Sequence, residues 1–305
     1  MRRILNFGSM NLDTVYTVHH LVRPGETLPS LEMEVFPGGK GLNQSVALAR
    51  AGAEVYHAGK IGRDGKFLLN LLQSAGVDTS FVEVINGHTG KAIIQVEEST
   101  GQNGILLYHG ANWQMTELFL DEVLAGFPGD GILVMQNEIN LGGYLLERAA
   151  GKGMQIALTP SPIDDSLLRW ELGQVTWLLL NEVEGEALTG KTQPEEILDS
   201  LLGQYPDMRV VLTLGEKGAF YADREKRLRQ PAIPAQAVDT TGAGDTFAGY
   251  FLAGIARGQN EAEAMEEAAQ AAAIAVSRFG AAVSVPTRQE VMQALKEEKS
   301  ARVRA

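Results

Sequence analysis

The chain has 305 residues and no cysteine; 45% of it is hydrophobic and 21% charged, with a formal charge of −12 and a pI near 5.0. The missing cysteines exclude a disulfide scaffold and thiolate metal centres, and the acidic balance excludes a broad basic face for nucleic acid. A phosphorylated ligand would have to be held against the net charge, by local donors and a metal.

The opening "MRRILNFGSMNLD" has too short an apolar run for a signal peptide, and no later stretch reaches the length of a membrane span. A cytoplasmic protein is therefore expected. Its "RRILNF" reads as a buried strand ending at Gly8-Ser9, with Asn11 and Asp13 just beyond. An amide and a carboxylate at a strand exit suit hydrogen bonds to vicinal hydroxyls, and a plain turn is the blander reading. "SLEMEVF" alternates Leu31, Met33 and Val35 with Ser30, Glu32 and Glu34, so one face is apolar and the other wet. The apolar face must cover a ligand or meet a partner.

"GGKG" at 38–41 follows, then a helix "NQSVALARAG" closed by Gly52. The segment is not a P-loop, because Lys40 is followed by Gly41 and Leu42 rather than a hydroxyl residue. A turn needs one or two glycines; three around one lysine suit close approach of backbone to a ligand. Farther on, "KAIIQVEESTGQNGILLYHG" reads as a hairpin turning at Thr100–Gly104. Half-polar strands do not fit the centre of a parallel sheet. Residues of about 12–37 and 90–110 are therefore expected to form a small separate sheet.

"EVYHAGKIG", "DGILVMQNE", "MQIALTP", "VTWLLLNE" and "RVVLTLG" are short apolar strands alternating with helical segments. That order predicts an α/β fold, a doubly wound, mostly parallel sheet flanked by helices, with ligands beyond the carboxyl ends of the strands. In "NEVEGEALTG", Asn181 and Glu184 share one face at a helix start and could hold a hydrated Mg²⁺, although an N-cap with its N3 glutamate accounts for the pair by itself.

"DTTGAGDTFAGYF" raises the sharpest question. Gly242-Ala243-Gly244 opens a helix, where free N–H groups and the helix dipole attract anions, yet Asp239 and Asp245 bracket the turn. It is not the dinucleotide fingerprint, since Phe247 stands where a third glycine or alanine is required. The helix dipole accounts for Asp245 alone, but not for Asp239, Thr240 and Thr241 crowded upstream. The five histidines show no metal-ligand spacing.

"GSMNLD", "PGETL", "PGGKGLNQSVALARAG", "MQNE", "NEVEGEALTG", "TLGEKG" and "DTTGAGDTFAGYF" occur in this order in one family. Over nearly its whole length the chain resembles the ribokinase-like carbohydrate kinases, also called the phosphofructokinase B family, and within it the kinases of ribose. The resemblance implies one kinase domain over 1–305 with a β-sheet lid, transferring the γ-phosphoryl group of ATP to a sugar hydroxyl. Fructose, 2-keto-3-deoxygluconate or a nucleoside are the alternative substrates, and a sugar or nucleotide sensor is the reading outside enzymes.

By the same resemblance Asp245 would be the catalytic base, with Gly242, Ala243 and Gly244 as the anion hole. Asn11, Asp13, Gly39, Lys40, Asn43 and Glu138 would contact the sugar. Asn181 and Glu184 match the Mg²⁺/phosphate motif, and Thr213, Gly215 and Gly218 the nucleotide segment. Asp239, Thr241, Gly280 and Ser284 would line a loop for a monovalent cation, typically K⁺. The lid often pairs with its twin in a homodimer. "LTPSPI" in place of an Asn-Pro-Ala-Pro run, Ala269 beside Gln270, Leu42 and Trp113 depart from the family pattern. They bear on the choice of sugar and of nucleotide base.

Overall fold

The computed structural model describes residues 1–304. In chain order, β1 (Ile4–Phe7) leads to β2 (Asn11–Val18), β3 (Glu32–Gly38), α1 (Lys40–Arg50), β4 (Val55–Gly62), α2 (Lys66–Ser74) and β5 (Asp78–Ile85). A hairpin of β6 (Gly90–Glu97) and β7 (Asn103–Tyr108) follows, then α3 (Glu117–Ala125), β8 (Ile132–Gln136), α4 (Gly142–Gly151), β9 (Gln155–Thr159) and β10 (Trp177–Asn181). The remainder is α5 (Glu182–Thr189), α6 (Pro194–Gln204), β11 (Arg209–Thr213), β12 (Ala219–Ala222), β13 (Arg227–Gln230), α7 (Ala243–Arg257), α8 (Glu261–Val276) and α9 (Arg288–Arg304).

Nine strands make one sheet in the order β13-β12-β11-β10-β9-β8-β1-β4-β5. Every pair from β11 to β5 is parallel; β12 and β13 join antiparallel at one edge. The central strands are mostly apolar because each face buries alternate residues in a different helical layer. Ile4, Ile132, Val134 and Leu179 pack on the side of α1, α7 and α8, while Leu5, Phe7, Leu133, Met135 and Leu180 pack against α3, α4 and α6. The strand order reverses between β1 and β8, and ligands of such sheets bind at that switch point.

A four-stranded sheet, β3-β2-β6-β7, stands apart. β2 pairs antiparallel with β3 but parallel with β6. Asn11 and Asp13, taken from sequence as a strand exit, are the first and third residues of β2, so both side chains point to the same side. The register sets Phe36, Asp13, Ala92 and Leu107 in one row across the sheet and Val35, Thr14, Ile93 and Leu106 in the next, facing the other way. The apolar Met33 and Val35 therefore lie on the face opposite Asp13, and both are about half exposed. Three further strands escaped the sequence reading: β5 alternates between half-buried and exposed residues, and β12 and β13 are only four residues each. None of the described helices is long and apolar enough to cross a membrane.

α1 and α7 press together at Gly249, where an added Cβ would lie 2.4 Å from Ala47 Cβ and 2.9 Å from the Leu48 nitrogen. That approach sets the distance between the residues each helix brings to the switch point. Gly249→Ala is expected to destabilise the fold by about 1–3 kcal/mol, overpacking outweighing the helix-propensity gain. Urea denaturation reads the change, and an equally stable variant would show that the contact is slack.

Candidate active site

The exit of β1 and the glycine-rich segment before α1 interlock. Gly41 N–H donates to Ser9 Oγ at 3.2 Å and Leu42 N–H to Ser9 O at 2.9 Å. A Cβ on Gly41 would fall 2.4 Å from the Ser9 nitrogen, and Gly39 holds φ at +92°. These glycines thus allow backbone to approach backbone, a use that the sequence reading assigned to a ligand. Glu138, just past β8, accepts the Lys40 N–H at 3.0 Å and the Ser9 hydroxyl.

Two residues of β2 complete this side. Asn11 Oδ1 accepts from Asn112 Nδ2 at 2.7 Å, and Gly90 leaves the room, since a Cβ there would be 2.3 Å from Asn11 Oδ1. The Asp13 carboxylate lies over Gly38, where a Cβ would sit 1.9 Å from Oδ2. Asp13 Oδ1 and Asn43 Oδ1 are both buried with no hydrogen-bond partner. Burial, and then the negative charge of Glu138, push the Asp13 carboxyl up to about 7.

Asp245 occupies the first turn of α7 and is 9% exposed. Asn43 Nδ2 donates to its Oδ2 at 3.1 Å and Gln44 Nε2 to its Oδ1 at 3.0 Å, both from α1. Gly242 takes φ +73°, and a Cβ on it would be 2.9 Å from Ala281 Cβ. The first bond of α7 runs from Thr246 N–H to Gly242 O at 2.8 Å, so helix geometry leaves the N–H groups of Gly244 and Asp245 without an intrahelical acceptor. The Ala243 N–H is engaged with Thr240 O at 3.2 Å.

A cavity of about 210 Å³ brings Lys40, Gly242, Gly244 and Asp245 together with Asn181, Glu184 and Thr213, whereas Asn11, Asp13, Asn43 and Glu138 lie outside its lining. Burial alone would push the Lys40 ammonium down, but Asp245, Glu138 and Glu184 outweigh it and hold it above its ordinary value. Asn181 and Glu184 form the reciprocal cap of α5, with bonds of 2.9 and 3.0 Å. Gly215 and Gly218 bound the short turn after β11 outside the cavity, and Gly218 packs against Gln230 O, 2.1 Å from where a Cβ would stand. A larger depression of about 930 Å³ lies at the amino ends of the strands, around Glu54, Arg209 and Arg257. It contains none of the motif residues, so chemistry selects the smaller cavity.

Asp239 accepts the N–H groups of Thr241 and Gly280, both at 2.9 Å. Burial works to raise its carboxyl, but the bonds from Thr241 and Gly280 win and hold it below the usual range. Ser284 is buried and donates to Ala281 O at 2.8 Å, so Asp239, Thr241 and Gly280 are tied together while Ser284 is bonded elsewhere.

The model of the pfkB family carbohydrate kinases matches residues 1–288. The chain belongs to this family. It is 36% identical to the ribokinase of Haemophilus influenzae over 308 residues, covering 97% of this chain and 99% of that one. The ribokinase of Bacillus subtilis is 33% identical over 299 residues, covering 97% and 100%. The Arabidopsis thaliana ribokinase structure superposes with a TM-score of 0.85 at 31% identity, covering 97% and 99%.

In this carbohydrate kinase, Ser9, Gln44 and Asn112 bond expected site residues and Gln136 bonds Gln44, but none of the four was singled out from sequence. "GLNQ" and "MQNE" contain two of them, yet nothing local shows that Gln44 and Gln136 meet at 2.8 Å across 92 positions. Asp13 gives the ligand-free protein a distinctive pH response. With its folded value raised from 3.8 to about 7, its contribution to stability is full below pH 4 and is lost as pH rises through 7. Asp13→Asn should be more stable than the parent at pH 8, by on the order of a few kcal/mol, and the difference should fade towards pH 4. Equal differences at both pH values in denaturant titrations would count against this account.

Proposed function

We propose that this protein transfers the γ-phosphoryl group of ATP to a hydroxyl of D-ribose, giving D-ribose 5-phosphate. The supporting observation is the cavity in which Lys40, from the segment before α1, faces Asn181, Glu184 and Thr213 across Asp245 and the α7 turn. The Arabidopsis neighbour was solved complexed with ribose and ATP, the two ligands this reading requires.

Asp245 takes the proton of the attacking hydroxyl, and the Gly242–Ala243–Gly244 turn, whose open N–H groups are those of Gly244 and Asp245, meets charge on the migrating phosphoryl group. This answers why an anion-binding turn contains an acid: the alcohol must lose its proton beside the group it attacks. Asn11, Asp13, Asn43 and Glu138, with Lys40 and the Gly39 backbone, hold the sugar. The orphaned Asp13 Oδ1 and Asn43 Oδ1 need donors, and vicinal hydroxyls supply them. Thr213, Gly215 and Gly218 serve the nucleotide.

Mg²⁺ prefers oxygen ligands and keeps most of its waters, so Asn181 and Glu184 suit its hydration shell; when bound it neutralises phosphate charge. Each Asp239 oxygen accepts one N–H and retains lone pairs, so with Thr241, Gly280 and Ser284 it suits K⁺. A cation there would fix the turn that begins α7. The small sheet acts as a lid, and Ile105 and Leu107, exposed on the side of Asp13, fit a homodimer through that sheet. The absence of cysteine fits work in the cytoplasm.

A panel of D-ribose, deoxyribose, hexoses and nucleosides, read by coupled ADP detection with and without K⁺, should give the highest kcat/KM on D-ribose with K⁺ present. Best turnover on a hexose or nucleoside would remove ribose. Asp245→Asn should lower kcat by about 10²–10⁴-fold while ATP still binds, whereas near-normal turnover would contradict the base assignment. Light scattering should report a dimer, and a mass near 32.9 kDa at working concentration would refute it.

A further inference from the structure

A layer of polar side chains runs through the otherwise apolar contact between the sheet and α1. Asn6 on β1, Gln44, Ser45, His57 and Gln136 are all at most 1% exposed. Burying such groups costs free energy unless each is bonded, and these are bonded to one another at every polar atom except Gln136 Oε1 and His57 Nε2. Asn6 Nδ2 donates to Gly41 O at 2.7 Å and to Ser45 Oγ at 2.8 Å. Gln136 Nε2 donates to Asn6 Oδ1 at 3.0 Å and to Gln44 Oε1 at 2.8 Å. Gln44 Nε2 donates to Thr159 Oγ1 at 3.2 Å and to Asp245 Oδ1 at 3.0 Å. The far end of the layer is His57, bonded through Nδ1 to Ser45 Oγ at 2.7 Å.

The direction of this chain is forced. Gly41 O is a backbone carbonyl and can only accept, so the amide nitrogen of Asn6 must face it. Asn6 Oδ1 then faces Gln136 and demands a donor, which sets the Gln136 amide. Both Gln136 hydrogens are spent on oxygens, so Gln44 presents its own oxygen to Gln136 and its nitrogen to Asp245. Turning over any one amide would set oxygen against oxygen in a buried layer, at the cost of at least two bonds.

We propose that Gln44 is a positioning residue for the phosphoryl-transfer step, and that Gln136 and Asn6 fix which end of its amide meets Asp245. The proposal rests on Asp245 being the base. Gln44 pins Oδ1 and so aims the carboxylate. Oδ2 is held only by Asn43, whose own Oδ1 has no partner and which is free to exchange Asp245 for a ligand hydroxyl. One carboxylate oxygen is thus anchored to the scaffold and the other is available to take the proton. Because the same relay begins at Gly41 O, it also ties the segment bearing Lys40 to the base.

The test is Gln44→Met, which keeps length and volume but removes the donor, with Gln136→Met as a second variant that touches neither Asp245 nor the cavity lining. Loss of a hydrogen bond to a charged group predicts a kcat about 10- to 100-fold lower for Gln44→Met. Gln136→Met should lose kcat in the same direction by a smaller factor. In both, KM for the sugar and the stoichiometry and affinity of ATP binding should stay within about threefold. A purely structural role would instead lower the binding stoichiometry or raise KM along with the loss of rate. An active wild type with kcat within twofold in Gln136→Met, or in a folded Gln44→Met, overturns the relay alone. A wild type that phosphorylates no sugar overturns the relay together with the kinase reading.

Discussion

The arrangement turns on one contact: the Asp245 carboxylate, buried in the first turn of α7, takes one amide donor on each oxygen from α1. A buried carboxylate needs compensation, and cations would be the obvious source. Here neutral amides supply it, while Asp245, Glu138 and Glu184 all act on the Lys40 ammonium. A site that must admit a polyphosphate into a chain of net charge −12 gains from this choice. The amides steady the proposed base without adding a positive charge to it, and in the same proposal Lys40 and the open N–H groups of α7 are left to meet the anion.

That contact dictates packing well away from it. α1 must lie close enough to α7 for two short amide side chains to reach one carboxylate, and Gly249 makes the approach possible. α1 must also begin at a fixed height above the sheet, which Ser9 and Asn6 set by bonding the Gly41 backbone. The polar layer of Asn6, Gln136 and Gln44 is expensive to bury among Ile4, Val134 and Val46, and it is retained where the strand order reverses. Fold and site therefore share one set of residues: those that place the helices also orient the Asp245 carboxylate.

The sequence announced the parts of this whose signal is local. Apolar runs such as "ILVMQ" and "WLLLN" read as central strands because both faces are buried, and "DTTGAGDTF" read as a helix start because its glycines and acids are adjacent. β5 and β13 did not, being half-wet edge strands, and neither did the buried β12, whose four residues are too few to show a pattern. Asn11 and Asp13 looked like a turn because β2 is partly exposed, and only its pairing with β3 and β6 reveals the alternation that puts both on one side. Asn181 and Glu184 took the cap geometry that their spacing allowed, within the same cavity as Asp245. Asn6 and Gln136 were silent for a different reason: a lone amide in an apolar strand has no meaning until its partners, 35 to 130 positions away, are known.

The sugar side shows the complementary principle. Each oxygen of Asp245 takes an amide donor, whereas Asp13 Oδ1 has none. Asp13 is desolvated, faces the charge of Glu138 and has an oxygen with no donor, so its ionised form is disfavoured until hydroxyl groups arrive. Asn43 is the hinge between the two regimes, satisfied at Asp245 through its nitrogen and unsatisfied through its oxygen. In the proposed reading, a ligand bearing adjacent hydroxyls relieves Asp13 and Asn43 together, and because Asn43 also bonds Asp245 Oδ2, it brings one of its own oxygens towards that carboxylate. Incompleteness on one side and over-determination on the other are thus what convert binding into alignment for transfer.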